Sequence, residues 1–128
     1  MYISITGVTS DNKLSKYQRF DSEAQADAHA AEYNGFVVVD PGGNDTLWVV
    51  DPGAKTVTRD VAAEQADELA RQWVEVRTTR NQLLSDSDWR GISDLTMSDA
   101  WKTYRAALRD LPANTADPSN PTWPEEPV

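Results

Sequence analysis

The sequence contains no cysteine, so disulfide bonds and thiolate metal sites are excluded. No run of about eighteen apolar residues occurs, and we therefore predict no membrane-spanning segment. Residues 1–20 lack a basic start followed by an apolar run, so no signal peptide is expected. The length of 128 residues suits a single compact domain or two smaller lobes.

Basic residues are also few, with 12 Lys and Arg against 21 Asp and Glu, which gives a net charge of −9. A surface this acidic repels phosphate groups, so neither nucleic acid nor an anionic membrane is expected as a partner.

Catalytic signatures are sparse. The only histidine, His29, has two interpretations, a general base or an exposed helical residue, and we favour the second because no partner with triad spacing accompanies it. Asp40, Asn44 and Asp45 do not have the spacing of a calcium loop, and turn formation explains them.

A second acidic group, Asp86, Asp88 and Asp94, lies near one helix break. We expect these carboxylates to cap helix ends or to pair with Arg77, Arg80 or Arg90, and a catalytic pair is the weaker alternative. No glycine-rich phosphate loop is present. The sequence therefore predicts no catalytic, cofactor-binding or metal-binding residue, and a protein that is not an enzyme.

The first half of the chain predicts a small sheet with one helix. Tyr2 to Val8 alternates as a strand, whereas 10–20 is polar and is expected to be a loop. A capping box at Ser22–Gln25 starts a helix that runs to Tyr33 and ends at Asn34-Gly35. Residues 36–39, 46–50 and 55–59 then predict a meander of three antiparallel strands, which completes an N-terminal lobe over 1–60.

The second half is helical. From Val61 to Leu84 there is no Gly or Pro, and a heptad-like stripe recurs at steps of four and three: Ala62, Ala66, Leu69, Trp73, Val76, Arg80 and Leu83. The stripe has two interpretations, packing within its own domain or a coiled-coil contact between copies or with a fibre. Alanine in the stripe favours the first. Residues 85–88 are expected to break the helix.

A second helix is expected to start at a capping box of Thr96 and Asp99 and to be limited by Pro112. Its apolar face consists of Trp101, Tyr104, Leu108 and Leu111. We predict an α+β fold with a helical segment over 61–112 and an extended, acidic, proline-rich tail over 113–128.

Tryptophan is frequent, and four of the five tryptophans lie in the second half. Trp73 and Trp101 are expected in the core, whereas Trp89 and Trp123, outside regular helices, are typical of interfaces. Arginines also concentrate here: Arg77, Arg80, Arg90, Arg105 and Arg109. They either pair with the tail carboxylates of Asp117, Glu125 and Glu126 or line a groove for a partner.

Three segments together resemble a known family: RNQLLSDSDW at 80–89, WKTYRAALRDLP at 101–112 and NPTWP at 120–124. Their order and spacing are similar to the C-terminal segment of bacteriophage tail-fibre assembly chaperones. The resemblance covers about 77–124. Arg90-Gly91 departs from it, because the family often has Thr-Gln there.

The resemblance implies a chaperone that binds the C-terminal tip of a trimeric tail fibre and helps its chains to fold and trimerise. Such fibres are β-rich, and their exposed edges and slow long-range pairing invite aggregation. It implies the host cytoplasm as the place of assembly, and retention in the virion tail is left open. The implied protein-binding residues are Arg80, Leu84, Trp89, Trp101, Tyr104, Arg105, Leu108 and Trp123.

Two other functions are weighed beside this one. The first is a permanent structural part of the virion, such as a fibre-tip or baseplate adaptor. The second, more distant, is a small hydrolase, which needs a cleft bearing two acidic residues. Association between copies of the chain stays open.

Overall fold

A computed structural model describes residues 1–128, which form an α+β fold. The chain divides into two compact units, Met1–Gln65 and Ala66–Val128. The division into 1–60, 61–112 and 113–128 stays a prediction. No helix combines the length and the apolar character that crossing a bilayer requires.

The first unit contains five strands and one complete helix. They are β1 (Tyr2–Val8), β2 (Leu14–Phe20), α1 (Glu23–Glu32), β3 (Phe36–Val39), β4 (Trp48–Asp51) and β5 (Thr56–Arg59). A three-stranded antiparallel sheet has the order β2-β1-β3, and a separate pair is formed by β4 and β5.

Strand β2 corrects the prediction of a loop over 10–20. Its half-buried residues, Leu14, Tyr17 and Phe20, lie three apart, so the sequence lacks the period of two that marks a strand. Register shifts next to Gly7 of β1 interrupt the alternation. Residues 14–20 therefore form a strand because they pair with β1, and not because of their local sequence pattern.

The expected three-strand meander is confirmed for the antiparallel pairing of β4 with β5 but is wrong for β3. Strand β3 pairs with β1, with Ile3 opposite Val38, and it does not pair with β4. The indole Nε1 of Trp48 donates to the carbonyl oxygen of Gly42 (2.8 Å) and holds the turn that leads away from β3. A short 3₁₀ turn, Asp45–Leu47, replaces the first residues of the predicted 46–50 strand.

The core of the first unit contains four side chains that are essentially inaccessible to solvent, Ile3, Ile5, Trp48 and Val50. Alternate residues of β1 and β4 supply them, so one face of each sheet contributes to the same core. The two small sheets are thus joined by apolar packing, and the main-chain N–H of Val50 also donates to the carbonyl of Asn12 (2.9 Å).

Helix α1 packs through small residues, since Ala26 and Ala30 are its buried positions. The expected capping box is wrong: Ser22 occupies the N-cap position, but its side chain makes no capping hydrogen bond. Asn34 ends the helix as predicted, with a left-handed φ of 55°. His29 is half-buried rather than exposed, with its Nδ1 3.0 Å from the hydroxyl of Ser4.

The second unit is built on α2 (Val61–Asp86), which begins in the first unit, and α3 (Asp99–Asn114). The C-terminal part of the heptad stripe is covered: Val76 is buried, and Trp73 and Leu83 are half-buried. The N-terminal part, Ala62, Ala66 and Leu69, is exposed. Packing within the unit therefore accounts for only part of the stripe.

Helix α3 buries the predicted face of Trp101, Tyr104, Leu108 and Leu111. Its predicted start is wrong, because Ser98 rather than Thr96 is the N-cap and accepts a hydrogen bond from Trp101 N (3.4 Å).

The predicted end of α3 is also wrong, since the helix continues through Pro112 to Asn114. A proline in the last turn removes only one helical hydrogen bond. The hydroxyl of Thr115 donates to the carbonyl of Leu111 (2.6 Å), which satisfies one acceptor near the helix end.

The core of this unit is formed by Trp101, Tyr104 and Leu108. Leu83, Leu84, Met97 and Trp123 pack against it. Because Trp123 belongs to the tail and Pro118 is buried as well, the tail contributes to the packing of the unit.

Candidate protein-binding surface

The candidate site is the connector between α2 and α3, residues 87–98. Three of its apolar side chains are largely exposed: Trp89 (54%), Ile92 (54%) and Leu95 (46%). Apolar residues at this density in a short loop are more typical of a surface that another protein covers than of a free surface. We call this set, Trp89, Ile92 and Leu95, the connector patch.

The connector begins at a buried serine. The hydroxyl of Ser87 donates to the carbonyls of Leu83 (3.0 Å) and Leu84 (3.1 Å) in the last turn of α2. The main-chain N–H of Arg90 then bonds to the carbonyl of Ser87 (3.2 Å), within a 3₁₀ turn over Asp88–Gly91. The chain therefore leaves the helix in a hydrogen-bonded turn that presents Trp89 outward.

Arg105 of α3 holds this turn from the other side. Its guanidinium donates to the Leu84 carbonyl (2.8 Å), the Ser87 hydroxyl (2.5 Å) and the Asp88 carboxylate (2.6 Å). Its side chain is only 11% exposed. Asp88 therefore pairs with Arg105, whereas the sequence had suggested Arg77, Arg80 or Arg90.

Arg90 connects the exposed and the buried tryptophan. Its guanidinium carbon lies 4.4 Å from the ring centre of Trp89 and 3.7 Å from that of Trp101. Both distances are within the range of cation–π attraction. Trp101 itself meets Tyr104 edge-on, with ring centres 5.5 Å apart, so the connector patch is tied through Arg90 to the core.

Beside the patch is an open groove of about 260 Å³. It is lined by Trp89, Arg90, Leu95, Thr96, Met97, Ser98 and Trp101. Aromatic residues and arginine are the types that most often dominate binding energy at protein interfaces. The groove therefore suits one apolar side chain of a protein partner.

The structure separates the predicted site residues into three groups. Trp89 is exposed, whereas Trp101, Tyr104 and Leu108 are buried in the core. Arg80, Leu84, Arg105 and Trp123 are intermediate in exposure. Arg80 bonds its neighbour Asn81 (2.8 Å), and Arg105 is engaged within the chain. Trp89 is thus the predicted contact residue most accessible to a partner.

Tyr104 and Trp123 lie where the tail returns to α3. Tyr104 lines a shallow groove together with Ala107 and residues 124–128. Burial, with smaller contributions from Glu126 and Asp86, raises the pKa of the Tyr104 hydroxyl. This end of the tail is therefore part of the folded unit.

Pairing of the tail carboxylates with the arginine cluster, one of the two interpretations of that cluster, is absent. No ion pair involves Asp117, Glu125 or Glu126. Apolar packing of Trp123, rather than charge, joins the tail to the unit.

Sequence reasoning missed Ile92, Leu95 and Met97 as members of the site. They stand in a segment without helical or strand periodicity, where apolar residues have no assigned core partner. Three apolar residues without an assigned core partner, close in sequence to Trp89, are the pattern that could have indicated this surface.

His29 and the polar residues of the 40–45 turn have structural partners within the chain. Ser4, the partner of His29, is fully buried, and the His29 ring packs between Phe20 and Tyr33. Asp40 accepts from Gly42 N (2.7 Å) and Asn44 from Thr46 N (3.1 Å), which confirms their role in the turn. No cluster of three or more His, Asp or Glu side chains is placed to hold a metal ion.

Residues 73–128 match the family described as Phage tail assembly chaperone protein. The resemblance noted from the sequence is therefore confirmed for the C-terminal segment, and the match extends beyond the quoted motifs at both ends. The match supports a chaperone role in phage tail assembly, and such a role implies contact with phage tail proteins. No curated protein and no solved structure matches the chain.

Proposed function

From a C-terminal segment that matches the phage tail assembly chaperones, we propose a specific role as a tail-fibre chaperone. The protein binds the C-terminal tip of a trimeric fibre through the connector patch and aids folding and trimerisation of its chains. It acts in the host cytoplasm during assembly.

The connector patch is the observation that carries this proposal. It lies within the matched segment, and Trp89 is its largest exposed side chain. The turn beneath it is held by Arg105 and Ser87, so little conformational entropy has to be lost when a partner binds. A preorganised aromatic anchor of this kind is typical of a protein interface.

A β-rich fibre tip explains why such a surface is useful. Unpaired strand edges and unburied apolar residues of a folding trimer are prone to aggregate. An acidic chaperone that covers apolar residues at the tip adds negative charge around them and opposes association of unfinished fibres.

The test is co-expression with a tail-fibre protein of the same phage, followed by size exclusion with light scattering. We expect a soluble complex, and a fibre that is insoluble when expressed alone. Trp89→Ala should weaken the complex about tenfold or more, as for a typical hot spot. Val74→Ala, at an exposed apolar residue of α2 outside the patch, is the matched control.

A fibre that folds alone and forms no complex contradicts the proposal. A complex that Trp89→Ala and Val74→Ala leave equally intact contradicts the assignment of the connector patch. The amount of the protein in purified virions separates an assembly factor, which should be absent, from a permanent adaptor of the tail.

A further inference from the structure

The first unit contains an open sheet edge beside a groove, away from the residues used above. The order β2-β1-β3 leaves β3 with a partner on one side only. Phe36–Val39 is short, uncharged and rich in β-branched residues, and Val39 is 68% exposed. Such an edge is a ready template for another strand.

The register between β1 and β3 identifies which backbone groups of β3 have no partner. Asp40 N donates to the carbonyl of Met1 (3.1 Å), and residues of an antiparallel strand alternate between facing their partner and facing away. Val38 therefore faces β1, while the N–H and C=O groups of Val37 and Val39 face outward. No other chain segment or side chain bonds to them.

A groove of about 430 Å³ runs along this edge, with α1 as its other wall. Ala30 and Ala31 give this wall small side chains, and Glu23 and Asp27 make it acidic. Neither carboxylate forms an ion pair within the chain. Lys55 lies at the edge of the same groove and is equally unpaired.

The acidic and basic residues lie toward opposite ends of the groove. A tight turn joins α1 to β3, so the end of α1 adjoins Phe36 and its start, with Glu23, adjoins Val39. Lys55 lines a second groove together with Gly35 and Phe36, which places it at the opposite end from Glu23. The groove is therefore acidic toward Val39 and basic toward Phe36.

We propose that this groove binds an extended segment of another protein, which adds to β3 as an antiparallel strand. An antiparallel segment begins at the Val39 end, so it carries Lys or Arg in its first half and an acidic residue near its end. Backbone bonds to Val37 and Val39 supply affinity, and alternate side chains facing α1 supply specificity.

A second copy of the chain is the less suitable occupant. Pairing of β3 with the β3 of another copy brings two acidic α1 walls to one seam, between molecules that each carry a net charge of −9. The inference goes beyond the fibre-chaperone role, since it uses no residue of the connector patch.

The probe is acetyl-Lys-Val-Lys-Val-Thr-Val-Glu-amide, titrated into the full chain labelled with ¹⁵N. We expect the amide signals of Val37 and Val39 to shift and their hydrogen exchange to slow. The charge-swapped peptide, with Glu and Lys exchanged, should bind more weakly. Asp27→Asn should lower the affinity for the probe by roughly two- to fivefold, as for an exposed charge pair.

Val39→Pro removes an outward N–H that has no partner within the chain, so the fold should persist while binding is lost. Val39→Thr keeps both the N–H and the branched side chain and should still bind. Circular dichroism checks that both variants fold.

Three results would overturn the proposal. One is an absence of shifts at Val37 and Val39 up to about 1 mM peptide, where even weak complexes are detected. Another is equal or better binding of the charge-swapped peptide. The third is protection of these amides that rises with protein concentration alone, which would identify a second copy as the occupant.

Discussion

Arg105, in the middle of α3, donates a hydrogen bond to the main-chain carbonyl of Leu84 in the last turn of α2, over 2.8 Å. The same guanidinium also donates to Ser87 and Asp88, so this one side chain of α3 binds both the end of α2 and the start of the connector. The connector patch thus depends on a residue that itself is hardly exposed.

Removal of that side chain should destabilise the second unit. We expect Arg105→Ala to lower the free energy of unfolding by about 1–3 kcal/mol, because buried acceptors lose a charged donor. Arg109→Ala, one turn further along α3 at an exposed position without an ion pair, should change it little. Urea unfolding of both variants measures the difference, and equal midpoints would contradict the role of Arg105.

The core of the second unit gives a larger expected effect. Leu108 is completely buried, so Leu108→Ala should lower the free energy of unfolding by about 2–5 kcal/mol through lost apolar contacts and a cavity. Leu69→Ala removes the same atoms at a position that is 48% exposed and should have little effect. Thermal unfolding followed by circular dichroism compares the two, and similar losses would show that Leu108 is not central to this core.

Close packing of β1 against the turn before β3 is tested at Gly35. A Cβ atom there would lie 2.2 Å from the carbonyl oxygen of Ile5, which is main chain and unable to move aside cheaply. Gly35→Ala should therefore destabilise the first unit by about 1–3 kcal/mol, as for overpacking.

Gly53→Ala is the control for this change, since the nearest atom to its added Cβ is the Asp51 carboxylate at 3.3 Å. Unfolding midpoints in urea should separate the two variants. Full stability of Gly35→Ala would mean that the approach of this turn to β1 is looser than the structure indicates.

Acid sensitivity is expected from Asp45. The hydroxyl of Tyr17 donates to its carboxylate, and this bond, aided by Arg19, holds the pKa of Asp45 below its ordinary value of 3.8. The folded state therefore binds the proton less readily than the unfolded state. The resulting stabilisation is complete above the ordinary pKa and is lost as pH falls through the lowered one.

Asp45→Asn should consequently be less stable than the unsubstituted protein at neutral pH, and the difference should shrink as pH falls below about 3.8. Asp21→Asn, at an exposed carboxylate without an ion pair, is the control and should change the free energy of unfolding little at neutral pH. Urea unfolding at a series of pH values tests this, and a difference that is independent of pH would rule out the titration of Asp45 as its cause.

Local sequence patterns were sufficient to predict an element when its buried residues recur with the regular period of a strand or a helix. The alternation of Tyr2–Val8 predicted β1, and the spacing of Trp101, Tyr104, Leu108 and Leu111 predicted the buried face of α3. The motif spacing from Arg80 onward also identified the family segment, because short-range helix and turn geometry preserves such spacing.

Pairing between distant segments was beyond these patterns. The burial pattern of β2 does not alternate with a period of two. Strand β3 could pair with β1 or with the strand that follows it, and only the packing of the folded chain selects β1. The roles of single side chains were equally hidden, since nothing local indicates that Arg105 is enclosed by the end of α2 while Trp89 is left exposed.

The sequence by itself determined the acidic, cysteine-free character of the chain, most helix and strand positions and the family of its C-terminal segment. Each of these depends on residue type and on near neighbours along the chain. Only the tertiary structure decided which strands pair, which aromatic residues are buried and where an apolar patch and an open sheet edge remain. Those outcomes depend on contacts between residues far apart in sequence, which no local pattern records.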